Sequence, residues 1–152
     1  ENHKINKIFE IGCGYGGILR YFKDRGYNVI GSEEDKNVID FVLKKNIEIR
    51  QGELNVFLDN EKCDLIILSH ILEHIYDPKV FLEKATKLLN PNGLIYIEVP
   101  GINNPRIIKR NYSIQAGHLY YFNKETLLNF INPTEFEVLR SNEVVQILIK
   151  KK

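Results

Sequence analysis

Short apolar runs alternate with longer segments of helical period along the chain, the pattern of an α/β fold with a parallel sheet. Residues 5–11 predict a first strand that ends in a glycine cluster. Over residues 15–25, Ile18, Leu19 and Phe22 fall on one helical face, with Gly26 placed to end the helix. Residues 27–31 predict a second strand. Residues 36–45 predict a helix with Val38, Ile39, Phe41 and Val42 as its buried stripe, and residues 47–49 a brief third strand. Residues 64–69 form the most apolar run and predict a central strand buried on both faces. Asp77-Pro78 supplies an N-cap and a proline at the first helical position, after which Val80, Phe81, Ala85, Leu88 and Leu89 recur at helical spacing. The turn Asn90-Pro91-Asn92-Gly93 leads into a fifth strand, residues 94–99. Residues 100–123 carry no period and read as a binding loop or lid, or else as disorder. A short helix over residues 124–131 stops at Asn132-Pro133. Phe136 and Val138, then Val145, Ile147 and Ile149, alternate about Ser141-Asn142-Glu143, predicting a terminal hairpin. The expected fold is a mostly parallel, seven-stranded α/β sheet with a C-terminal antiparallel hairpin.

At 152 residues the chain suits a single domain spanning 1–152, large enough to need no disulfide or metal staple. Its 21 basic and 20 acidic residues leave no field that would recruit nucleic acid or an anionic membrane. Cys13 and Cys63 form neither a disulfide framework nor a metal-ligand spacing. No apolar run reaches the roughly 18 residues of a membrane span, and no secretory leader opens the chain, so a cytoplasmic location is expected. The chain contains no methionine, and Glu1 is expected to mark an N-terminally trimmed fragment.

Glu10-Ile11-Gly12-Cys13-Gly14-Tyr15-Gly16-Gly17 joins the first strand to the first helix. There, glycines permit a tight turn and let a ligand approach the backbone at a helix N-terminus. Gly12, Gly14 and Gly17 meet the dinucleotide fingerprint, although close strand–helix packing alone would also call for glycine. Glu33 follows Gly14 by 19 residues, close to the roughly 20 that place a carboxylate on a ribose diol. The competing reading makes Glu33-Glu34-Asp35 a solvated cap of the next helix. Together, the loop and the acid favour a cofactor bearing adenosine.

The chain resembles the class I S-adenosylmethionine-dependent methyltransferases, within the broad group acting on small molecules, sugars and quinone or polyketide intermediates. Phe9-Glu10-Ile11-Gly12-Cys13-Gly14-Tyr15-Gly16 is similar to that family's first motif, and Val29-Ile30-Gly31-Ser32-Glu33 to its second. The run from Asp64 through Ser69-His70-Ile71-Leu72-Glu73-His74 to Asp77-Pro78 resembles its fourth-strand motif. Leu88 to Leu94, followed by Ile97-Glu98-Val99-Pro100, resembles its passage from helix to fifth strand. Gly117-His118-Leu119-Tyr120-Tyr121-Phe122 is a looser match. The resemblance implies a Rossmann-like three-layer sandwich and S-adenosyl-L-methionine as cofactor, with S-adenosyl-L-homocysteine as product. It implies that Glu10, Gly12, Cys13, Gly14 and Gly16 surround the methionine end and that Glu33, with Glu34 beside it, takes the ribose. Glu53 and Leu54 would meet the adenine, and Ser69 and His70 would face cofactor and substrate. Ser32 departs from the usual apolar residue at its position, and a helix that commonly covers the substrate is absent from the start.

Methyl transfer from a sulfonium asks a protein chiefly to align the reactants and exclude water, with a general base helping a hydroxyl acceptor. His118, in the long loop, and His70, at a strand end, are the joint candidates. His74, beside Glu73, is expected to pack or cap. The pair His70–His74 has metal-ligand spacing but no evident third ligand, so no metal is expected. Cys13 sits at a helix N-terminus, where thiolate is favoured, yet lacks a base with an orienting partner. The basic stretch 106–112 could meet phosphate, but the Pro-Cys and Asp/Asn-Pro-Pro-aromatic signatures of nucleic-acid methyltransferases are absent. The expected partner is therefore a small-molecule methyl acceptor, most readily methylated at oxygen, rather than nucleic acid or a membrane; a homodimer is left open. Two rivals remain. One is an NAD(P)-dependent oxidoreductase, for which Tyr120–Lys124 has the right spacing but falls after strand five. The other is a non-catalytic or truncated methyltransferase-like binding module.

Overall fold

β4 (Cys63–Ser69) is buried because β1 and β5 flank it and helices cover both faces of the sheet. The computed structural model describes residues 4–58, 60–103 and 115–152. Its seven-stranded sheet has the order β3-β2-β1-β4-β5-β7-β6. The strands are β1 (Lys7–Ile11), β2 (Asn28–Glu33), β3 (Glu48–Gln51), β4, β5 (Leu89–Glu98), β6 (Phe136–Ser141) and β7 (Gln146–Lys151). β1 to β5 run parallel, and β7 lies antiparallel to both β5 and β6. One face packs on Leu19 of α1 (Gly17–Lys23) and on Ile39 and Val42 of α2 (Lys36–Leu43). The other packs on Phe81, Leu82 and Ala85 of α3 (Pro78–Lys87) and on Leu127 of α4 (Lys124–Leu128). This is the expected α/β three-layer sandwich with its C-terminal hairpin.

Side-chain caps set the helix starts. Asp35 accepts from Asn37 N–H at α2, Asp77 from Val80 N–H at α3, and Asn123 forms a capping box with Thr126 at α4. Asp64 anchors the far edge of the sheet by accepting from the N–H groups of Asn6 and Lys7 and from the Asn90 side chain.

Several elements differ from the sequence pattern. β2 continues to Glu33 because pairing with β1 and β3 extends past the apolar residues. The turn 90–93 is absorbed into β5 as an irregularity, where the pairing jumps from Cys63↔Leu89 to Leu65↔Leu94. Phe41 lies outside the buried stripe of α2, exposed and edge-on to Tyr15. α4 ends at Leu128, short of residue 131. Between β3 and β4 the chain makes a 3₁₀ turn, Leu54–Val56. Phe57 stacks on Phe9 there, and Arg50 pairs through two nitrogens with Glu61. Among the described residues no helix is long and apolar enough to cross a membrane.

The glycine loop packs on β2 through Gly31. A Cβ built there would lie 2.6 Å from Leu19 Cδ1 and 2.7 Å from Cys13 Sγ, both held in the core. Gly31→Ala is expected to lower unfolding free energy by about 1–3 kcal/mol in urea titrations. Gly17→Ala, at an open helical position, should be neutral or mildly stabilising.

Candidate functional site

The carboxyl ends of parallel strands, with the loops that follow them, are where open α/β sheets bind ligands. Three loops converge there: residues 12–16 after β1, residues 34–35 after β2, and residues 70–77 after β4. Gly12, Gly14 and Gly16 all have positive φ, and Gly16 sits at the N-cap of α1. At Gly12 the demand is also steric, because a Cβ would fall 2.1 Å from Ile71 Cδ1 of the third loop.

Glu33 binds the first two loops together. Its Oε2 accepts from Gly14 N–H at 2.9 Å, and its Oε1 accepts from the N–H groups of Glu34 at 2.8 Å and Asp35 at 3.2 Å. Oε1 thus takes two donors, whereas Oε2 takes one and retains acceptor capacity for another. Glu33, Glu34 and Glu53 line a cavity of about 220 Å³ with Gly12, Ile71 and Phe81. A larger cleft of about 940 Å³ shares Glu34, Gly52, Glu53, His74, Ile75 and Phe81 with it and adds Leu54.

Glu10 lies under this surface rather than in it. Strand alternation turns its side chain, like that of Ile8, toward α1, where it is 3% exposed and accepts from Leu19 N–H, one of the free donors at the helix start. Its Oε2 has no partner, and burial pushes its pKa up to about 8 despite that hydrogen bond. Glu10 thus supports the loop from below and is not among the residues lining the cavity. The thiolate reading of Cys13 is corrected. Burial first, then the charges of Glu10 and Glu33, push the thiol up to about 12, so the helix N-terminus does not yield a thiolate. Ser32 is fully buried with an unpartnered Oγ.

After β4, Ser69 is half-buried and His70 adopts a left-handed backbone, φ 58°, with its N–H donating to Glu98 C=O. The next residues form a 3₁₀ turn, Leu72–His74. Glu73 is 1% exposed, and neither carboxylate oxygen has a hydrogen-bond partner. His70 Nδ1 stands 3.5 Å from Glu73 Oε1, and the facing carboxylate raises the His70 pKa against the opposing effect of its partial burial. His74 Nδ1 lies 2.8 Å from Gly117 C=O, and its ring packs edge-on to His118, centroids 4.8 Å apart.

His70 and His118 therefore both stand near Glu73, but His74 is the histidine that lines the cavities. A different set from the pair His70–His74 stands close together: ligand atoms of Glu73, His74 and His118 lie within 4.8 Å of one another. Glu73 is the residue that sequence reasoning passed over as only a neighbour of His74. Its signal was a carboxylate held between two histidines at helical spacing. Tyr120 and Lys124 are not a working pair: Tyr120 Oη donates to Tyr76 C=O, and Lys124 pairs with Glu143. The basic stretch 106–112 lies outside the described residues.

A sheet in this order, with a glycine loop clamped by the acid that ends β2, defines the class of Rossmann-like methyltransferase folds. The model of a methyltransferase domain matches residues 2–141, and the chain belongs to that family. Ubiquinone biosynthesis O-methyltransferase of Pelagibacter ubique (strain HTCC1062) is 32% identical over 97 residues, 60% of this chain and 40% of the relative. The human mitochondrial ubiquinone biosynthesis O-methyltransferase is 28% identical over 151 residues, 90% of this chain and 40% of the relative. The chain thus spans about 40% of the length of these curated relatives. Among solved structures, a SAM-dependent methyltransferase from Archaeoglobus fulgidus superposes with TM-score 0.73 at 19% identity, covering 99% of this chain and 87% of that one. The plantazolicin methyltransferase BpumL, in complex with a substrate analogue and SAH, superposes with TM-score 0.81 at 14% identity, covering 98% and 77%. These likenesses confirm the fold.

Glu10 gives the ligand-free protein a pH signature. A buried carboxyl titrating near 8 rather than 4.5 retains its proton in the native state while the unfolded chain loses it. Its contribution to stability is complete below pH 4.5 and is lost as pH rises toward 8. Glu10→Gln should remove that decline and leave the variant more stable than the parent at pH 8, as read by urea denaturation across the pH series.

Proposed function

We propose that this chain is the catalytic domain of an S-adenosylmethionine-dependent methyltransferase that methylates an oxygen of a small-molecule acceptor. The observation that carries the reading is the Glu33 clamp. The same carboxylate that fixes the glycine loop also lines the cavity, with acceptor capacity left on Oε2 for a ribose hydroxyl. Gly12 fits the reading as well, since a positive φ and the Ile71 contact exclude a side chain where a ligand must approach backbone. The family match supports the transferase class. Two curated relatives named for O-methylation support oxygen as the accepting atom.

When bound, the cofactor supplies an activated methyl group on a sulfonium. The chain's own residues then have three tasks. Glu33 holds the ribose hydroxyls, with Glu34 beside it, while Gly12, Cys13, Gly14 and Gly16 shape the loop around the methionine end and Glu10 braces that loop from below. Glu53 and Leu54 meet the adenine at the junction of cavity and cleft. The 70–77 loop borders the cavity, and on this reading Ser69 and His70 at its start would face the acceptor, with His70 the group to receive its proton. His118 approaches from the segment after residue 114 and joins the same cluster. Positioning of this kind can supply effective molarities of ~10⁵ M or more without covalent participation by the protein.

Calorimetry with S-adenosylhomocysteine and, in parallel, NAD⁺ tests the reading. The parent chain should bind the former and not the latter. Glu33→Ala should weaken binding by at least about tenfold, roughly 1.4 kcal/mol, with a melting curve to confirm that the fold persists. Binding of NAD⁺ alone would replace the reading with that of an oxidoreductase.

A further inference from the structure

The residues assigned to the cofactor use only one end of the 940 Å³ cleft. Past Glu53 and Leu54 the cleft continues along α3. Asp77, Val80, Lys84 and Lys87 recur at spacings of three and four, so one face of the helix forms this wall over roughly 15 Å. Leu54, Asn55 and Phe57 form the wall opposite.

The two ends of the cleft differ in charge. Glu34 and Glu53 stand at the cofactor end, whereas Lys84 and Lys87 stand at the far end, both exposed and one helical turn apart. Neither lysine has an acidic partner among the described residues. Glu83, the acid beside Lys84 on α3, lines a separate hollow with Phe130 and Phe136. Lys62 reaches the same end of the helix, its Nζ donating to Lys87 C=O. Between the charged ends lies Tyr76, a ring 88% exposed whose backbone is anchored by Tyr120 Oη donating to its C=O. Val80 and Leu54 add apolar surface, and Asn55 adds an amide that both donates and accepts.

We propose that this extension is a second ligand site, for a nucleoside diphosphate whose base stacks on Tyr76 and whose phosphates meet Lys84 and Lys87. Lysine ammonium groups hold phosphate as point charges, and an exposed aromatic ring stacks on any base. Asn55 answers the polar edge of a heteroaromatic ring. A hydrocarbon chain in its place would take water from that amide and return no hydrogen bond. Inorganic phosphate by itself would meet only two solvated lysines, a weak pairing. The carboxylates of Glu34 and Glu53 fix the direction, since they repel phosphate from the cofactor end. Only the role of the occupant rests on the cofactor reading. The extension adjoins the adenine end, remote from the sulfonium, so its occupant is a regulator beside the cofactor and not the methyl acceptor. Leu54 and Glu53 are the wall that the two ligands share.

Calorimetry of the chain saturated with S-adenosylhomocysteine, titrated with UDP and in parallel with ADP, tests the site. At least one of the two should bind with a Kd of roughly 100 μM or tighter. The matching nucleoside and inorganic phosphate should each bind at least about tenfold more weakly, and added NaCl should weaken the diphosphate. The double variant Lys84→Glu, Lys87→Glu and the single variant Tyr76→Ala should each lose at least about tenfold in nucleotide affinity while keeping that for S-adenosylhomocysteine. All three side chains are exposed, and melting curves verify the fold. No binding of either nucleotide, a nucleoside binding as tightly as its diphosphate, or affinity unchanged in both variants would overturn the site. So would ADP binding that vanishes when S-adenosylhomocysteine is added while UDP stays silent, because the ADP would then be in the cofactor cavity. Titration of S-adenosylhomocysteine itself reads the cofactor assignment separately, and UDP titrated into the chain alone decides the site if that assignment fails.

Discussion

One carboxylate holds the functional edge of this molecule together. Glu33 ends β2, yet its oxygens are occupied by N–H groups from two other stretches: Gly14 in the first loop, and Glu34 and Asp35 at the approach to α2. Without it, the glycine loop would have three left-handed residues and little to hold them in that conformation. The contact also explains why β2 runs past its apolar core. Ladder pairing with both neighbours carries the strand out to the point where the carboxylate can reach back across β1.

Around that clamp the structure leaves polar atoms buried and unpaired. Glu10 Oε2, Ser32 Oγ and both oxygens of Glu73 all belong to the carboxyl end of the sheet or the loops beyond it. Such atoms oppose folding, and their concentration at one edge contrasts with the well-satisfied opposite edge, where Asp64 takes three donors. Instability localised where a ligand would arrive is the usual compromise of a functional site.

Much of the architecture was legible from pattern because parallel strands buried on both faces leave continuous apolar runs, and helices leave a stripe. The cap Asp77 and the terminal hairpin follow from local rules. The misread details have tertiary causes. Phe41 fits the helical stripe of α2 by spacing, but Tyr15 and Lys45 hold it at the surface. The 90–93 turn reads as a break between elements, but pairing with β4 carries β5 back across it.

At the site the division is sharper. The glycine loop, Glu33 and the run after β4 announce a nucleotide-type cofactor from sequence alone, because each depends on residues close together in the chain or at a fixed crossover distance. What sequence could not reveal is which side of the loop Glu10 occupies, or that Gly117 and His118 return to His74 across 43 and 44 positions. Sequence determined the strands, the loop and the acid at its edge, since local propensity and periodicity are written into adjacent residues. Only the tertiary structure decided that Glu73 is buried among His70, His74 and His118 with no hydrogen bond to either oxygen, because burial and long-range contact are properties of the packed chain.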